Sequence, residues 1–105
     1  MELHPHEGSE PYHYVHGRED WLVVLAGAPT LRHPHGEEQL DAGDLLCLPE
    51  GPAGARQLLN RGESVVRALL LSTTALPVNV YYPDTGQWLM QNGRGPDETV
   101  LLDEP

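Results

Sequence analysis

The chain has 105 residues, of which 11 are Gly and 10 are Pro, and it sets 16 acidic residues against 6 basic ones for a formal charge of −10. Long helices are disfavoured, since each Gly or Pro in a helix interior costs about 1–3 kcal/mol, and the negative charge opposes binding to nucleic-acid phosphates or an anionic membrane surface. Cys47 is the single cysteine, so no internal disulfide forms, and the N-terminus Met1-Glu2-Leu3-His4 opens an acidic, polar stretch rather than a signal peptide; a soluble cytoplasmic protein is the expectation.

Short apolar runs follow one another at 12–16, 21–26, 30–32, 45–48, 57–59, 65–71, 78–82, 88–90 and 99–102. Their lengths suit strands better than helices. Turn chemistry separates them: Pro34-His35-Gly36 splits a hairpin, Asp41-Ala42-Gly43-Asp44 and Asn60-Arg61-Gly62-Glu63 form tight reversals, and Pro83-Asp84-Thr85-Gly86 places Pro, Asp and Gly at turn positions. Many short strands with regular turns predict an all-β sandwich or barrel. The pattern divides the chain into a barrel over 1–90 and an acidic, Gly/Pro-rich segment over 91–105, whose residues 99–102 can add an edge strand.

Strand parity assigns faces. In the run 65–71, Val66, Ala68 and Leu70 are expected inside, with Arg67 outside beside Val65 and Leu69. On the run beginning at Asp20, the residues Trp21, Val23 and Leu25 lie opposite Asp20, Leu22 and Val24. Both faces of that strand are apolar. One lines the core, and the other needs cover that so short a chain can hardly supply, which predicts a homodimer.

The segment 8–27, GSEPYHYVHGREDWLVVLAG, and the segment 43–60, GDLLCLPEGPAGARQLLN, resemble the two sequence motifs of the cupins. Gly43, Pro49, Gly51 and Asn60 hold the frame of the second motif, Gly27 closes the first, and the stretch between them resembles the linking hairpin. The resemblance covers about residues 8–73. It implies a single antiparallel double-stranded β-helix, or jelly-roll barrel, whose chemistry in the family depends on a divalent metal held by three histidines and a glutamate.

Carried over position by position, those four ligands fall on His13, Val15, Asp20 and Arg56. Valine cannot bind metal, aspartate keeps a carboxylate with shorter reach, and arginine is a permanent cation that only donates. Two ligand positions survive where about three or four are needed. The substitutions point instead to an Arg56–Asp20 ion pair with His13 beside it, filling the metal's place or binding a carboxylate or phosphate through the guanidinium. The expected function is therefore a cupin with a degenerate metal site that binds a small, anionic molecule.

Two alternatives stay open. A metal-dependent isomerase, decarboxylase or dioxygenase could hold Fe, Mn, Ni or Zn on His13 and Asp20 with His16 as a substitute ligand. Strand parity turns His16 away from His13, so this needs a bulge near Gly17. A purely structural or interaction module would use the outer face around Trp21 and Val23. Among other residues, His4 and His6 read as solvated, and His33 and His35 as hairpin-tip residues. Tyr12 and Tyr14 should face opposite to His13, and Cys47 reads as a small buried hydrophobe.

Overall fold

The computed structural model describes residues 1–73, 78–91 and 99–103, and contains eleven strands among them. These are β1 (Glu2–Leu3), β2 (Tyr14–His16), β3 (Asp20–Ala26), β4 (Thr30–His33), β5 (Gly36–Gln39), β6 (Leu45–Leu48), β7 (Gln57–Leu59), β8 (Val66–Ser72), β9 (Val78–Tyr82), β10 (Gln87–Gln91) and β11 (Thr99–Asp103). One short 3-10 turn, Pro52–Gly54, precedes β7. Of the C-terminal segment 91–105, residues 92–98 and 104–105 lie outside the described residues.

Every strand pairing is antiparallel. One layer has the order β1-β8-β3-β6. The other consists of β5-β4-β7 and β11-β10-β9-β2. The segment before β2 stitches these two groups together. Gly8 bridges Leu59, and His13 bridges Arg56 through reciprocal backbone bonds of 3.1 and 2.8 Å. This is the all-β, double-stranded jelly-roll architecture expected from the sequence.

The core follows from strand alternation. Leu22 and Val24 on β3, Val66 and Ala68 on β8 and Leu48 on β6 meet Leu31 and Leu58 from the opposite layer. A smaller cluster of Val15, Val78 and Val80, with Tyr82 and Leu89 against it, closes the β2-β9-β10 end. Val66 and Ala68 point inward and Arg67 outward, as their parity predicts. Leu70 has inward parity but is 40% exposed, because it lines the barrel mouth. Cys47 corrects the sequence reading: it is exposed on the outer face of β6, whose buried residue is Leu48. Tyr12 is buried, with the Arg32 guanidinium 4.1 Å above its ring, and Arg32 in turn forms a two-pronged pair with Asp84 at 2.8 and 2.9 Å. That clamp ties β4 to the turn between β9 and β10.

Gly27 ends β3 at a φ of +83°, and a Cβ there would stand 2.9 Å from both the Val65 carbonyl oxygen and Val66 Cγ2. A positive φ and a backbone contact act together, so Gly27→Ala is expected to lose about 1–2 kcal/mol of stability. Denaturant unfolding would show this as a lower midpoint at unchanged slope.

Candidate functional site

The site begins with a buried charge. Asp20 is the first residue of β3, and alternation turns its carboxylate inward beside Leu22 and Val24, leaving it 0% exposed. An isolated carboxylate there would be very costly, so it must be paired. Arg56 approaches from the start of β7, positioned by its backbone bridge to His13, and its Nη2 donates to Asp20 Oδ2. Arg18 donates from Nε to Asp20 Oδ1 at 2.9 Å. Asp20 is thus clasped between two guanidiniums. Burial on its own would raise the Asp20 pKa, but the Ser72 hydroxyl and the two arginines outweigh it and hold the carboxyl below its ordinary value.

Arg56 donates a further bond from Nη1 to the Gly54 carbonyl at 3.3 Å. Arg18 is different. Its side chain is 27% exposed, and its Nη groups have no hydrogen-bond partner among the described residues. Burial lowers the Arg56 pKa, an effect opposed by the charge of Asp20.

His13 completes the polar wall. Its Nδ1 lies 2.8 Å from the Pro11 carbonyl oxygen, which can only accept, so Nδ1 carries the proton. Burial lowers the His13 pKa, with the Pro11 bond acting against it and the charges of Arg56 and Arg18 reinforcing it. A neutral ring with Nδ1 protonated presents a bare Nε2. That atom lies 3.9 Å from the carboxylate of Glu10, a rim residue whose side chain is 77% exposed.

His13, Arg18 and Arg56 face a cavity of about 330 Å3, with Asp20 buried behind the two arginines. Ser9, Glu10, His13, Arg18 and Arg56 supply its polar side, and Leu22, Leu31, Leu48, Leu58 and Leu70 its apolar side. A cleft of about 390 Å3 lies elsewhere, beside Asn60 and Arg61. It is less suited to chemistry, because Glu37 holds the Arg61 guanidinium and the Asn60 amide is used up on the Leu3 and Ser64 carbonyls.

The structure thus brings together His13, Asp20 and Arg56, three of the four positions read from the sequence. Val15, the fourth, points inward but belongs to the Val78–Val80 cluster and does not line the cavity. His16 lies on the other face of β2, stacked on Trp88 at 5.9 Å with Tyr14 at 5.4 Å. Arg18 and Glu10 were not singled out in the sequence. Arg18 had a signal: it lies two residues before Asp20, on the same strand parity.

The donors do not fit a metal. Both oxygens of Asp20 are engaged by guanidiniums, Arg56 places a cation at a ligand position, and His16 is turned out. Among the described residues no three His, Cys, Asp or Glu side chains gather in one place.

The two-layered barrel, with its functional groups directed inward from strands at one end, defines a cupin fold. No sequence-family model matches the chain, and no curated protein matches it. Among solved structures, the chain resembles a sugar phosphate isomerase from a cupin superfamily, from Silicibacter pomeroyi DSS-3, with a TM-score of 0.88 and 24% identity over 97% of this chain. It also resembles a protein of Acidithiobacillus ferrooxidans ATCC 23270, provisionally named a sugar phosphate isomerase, with a TM-score of 0.87 and 26% identity over 97% of this chain. The chain spans 63% of the length of each of these neighbours.

Proposed function

We propose that this barrel binds a phosphorylated small molecule of sugar size, with the phosphate held by Arg18 and Arg56 where a metal-dependent cupin would hold its ion. The observation that carries the reading is the half-used Arg18. Asp20 consumes its Nε, while its two Nη groups have no hydrogen-bond partner among the described residues, beside a buried Arg56. Two arginines against the buried Asp20 leave one positive charge over, which only the exposed rim carboxylate of Glu10 opposes, in a chain whose total is −10. Charge-assisted pairing of guanidinium with phosphate is strong and geometrically matched. The apolar wall suits the ligand's carbon skeleton. The names of the two structural neighbours favour a sugar phosphate over a plain carboxylate.

The test is thermal unfolding of the full chain in inorganic phosphate against chloride at matched ionic strength. A ligand that binds only the folded state raises the midpoint in a concentration-dependent way. The expected result is a rise with phosphate that Arg18→Ala reduces. Equal midpoints in the two salts would refute the reading.

A second reading, isomerisation, draws on the bare Nε2 of His13. A neutral imidazole at the cavity wall can take the proton from a carbon next to a carbonyl and return it to the carbonyl carbon. One proton meanwhile passes between the two oxygens, so atoms balance and the product is an isomer. Incubation with glucose 6-phosphate in D2O, followed by proton NMR, tests this. The reading expects deuterium at the carbon next to the carbonyl, abolished in His13→Ala. No exchange would remove it and leave phosphate binding intact.

A further inference from the structure

The cavity faced by the two arginines changes character abruptly on both layers. Leu22 follows Asp20 by two residues on β3, and Leu58 follows Arg56 by two residues at β7. Alternation keeps each pair on the inner face, so the wall passes from charge to leucine within one strand repeat, about 7 Å. The ladders extend the leucines sideways. Leu70 stands opposite Leu22, Leu31 opposite Leu58, and Leu48 opposite Asp20. Leu22, Leu31, Leu48 and Leu58 are buried and form the floor, while Leu70 reaches the mouth.

The polar side offers few partners beyond those a phosphate would take. The Ser9 hydroxyl accepts the Leu58 N–H at 2.9 Å and donates to the Glu10 carbonyl at 3.4 Å. His13 Nδ1 is spent on the Pro11 carbonyl. The guanidiniums serve Asp20 and the Gly54 carbonyl, and their remaining N–H groups face the phosphate position. Among the described side chains that line the cavity, His13 Nε2 and the rim carboxylate of Glu10 are left to accept from a ligand hydroxyl. The floor itself offers neither donor nor acceptor.

A hydroxyl pressed against that floor gives up its water without finding a partner, which weakens binding about tenfold or more. A methylene laid there strengthens binding about fourfold. We propose that the ligand is a phosphate monoester with a deoxygenated carbon end: one or two hydroxyls at most lie beside the phosphate, and methyl or methylene groups meet the leucines. The inference rests on the reading that Arg18 and Arg56 hold the phosphate, and it adds what the leucines select.

Calorimetric titration of the full chain with n-hexyl phosphate and with glucose 6-phosphate tests the proposal, because the two share a six-carbon skeleton and one phosphate and differ in their oxygens. Hexyl phosphate, kept below its micellar concentration, is expected to bind about tenfold more tightly or better. Arg18→Ala should weaken both. Leu70→Gln, at a cavity position already partly exposed, should shrink the difference, with an unchanged circular dichroism spectrum showing the fold intact. Hexyl phosphate binding no more tightly than glucose 6-phosphate, or a difference indifferent to Leu70→Gln, would overturn the inference, while Arg18-dependent stabilisation by inorganic phosphate would leave the phosphate site standing. Tight binding of hexyl phosphate that Arg18→Ala leaves intact would also overturn it, since the tail alone would then be held. Neither ester bound and no effect of inorganic phosphate would overturn the phosphate reading, and the inference with it.

Discussion

Arg56→Met is expected to cost the protein about 3 kcal/mol, near the lower end of the penalty for removing one partner of a buried ion pair. The physical reason is Asp20, which is wholly buried and depends on its two guanidiniums. Methionine fills much of the arginine's volume and removes the charge, leaving Arg18 and the Ser72 hydroxyl to hold the carboxylate. Because Arg18 keeps its bond, the loss should not reach the top of the range. Domains of this size are stable by about 5–15 kcal/mol, so the variant should fold with a clearly lowered denaturation midpoint. Adding Asp20→Leu should recover part of the loss, since it removes the carboxylate left underpaired in the core. Phosphate-dependent stabilisation should fall at least tenfold in affinity, one charge-assisted bond being worth about 1.5–3 kcal/mol. A single variant as stable as the wild type would contradict the pairing.

Asp20→Asn should separate stability from binding. Asparagine preserves the shape but removes the charge that the two arginines share, so the folded state should lose about 3 kcal/mol at neutral pH. The same change unmasks both guanidiniums, so phosphate should bind more tightly as the protein grows less stable. The pH dependence carries its own sign. The folded pKa of Asp20 lies below its ordinary value. Its pairing therefore contributes in full above the unfolded pKa of about 3.9, and fades as pH falls through the lower folded value. The stability gap between wild type and Asp20→Asn should then be constant from neutral down to mildly acidic pH and close only in strong acid. Denaturant titrations at several pH values would measure it. A gap that grows on acidification would mean that Asp20 is not held as an ion.

The sequence carried most of the barrel because its turns and parity agree. Val66, Ala68 and Arg67 fell on their predicted faces, and the Pro34–Gly36 turn does link β4 to β5. Hydropathy could not see β5, whose four residues are all exposed. That strand is an edge, held by its ladder to β4 and by pairs such as Glu37 with Arg61. Cys47 was misplaced because both faces of Leu45-Leu46-Cys47-Leu48 are apolar, so alternation alone cannot say which is inside. At the site, the motif frame located Arg56 and Asp20. Arg18 was passed over because it lies in the gap between motif positions, where only its parity with Asp20 marks it. The state of His13 was not legible at all. It depends on a local bond to the Pro11 carbonyl and on burial, and both are properties of the folded chain.

The proposed role of the two arginines clasped on Asp20 is to bind a phosphorylated ligand in the place of a metal. Calorimetric titration of chelator-treated protein with glucose 6-phosphate tests it most directly, repeated with Arg18→Ala and with added Mn(II) or Zn(II). Saturable binding without metal is expected, lost in Arg18→Ala and unchanged by either ion. Binding that appears only when metal is added, or that Arg18→Ala leaves intact, would contradict it.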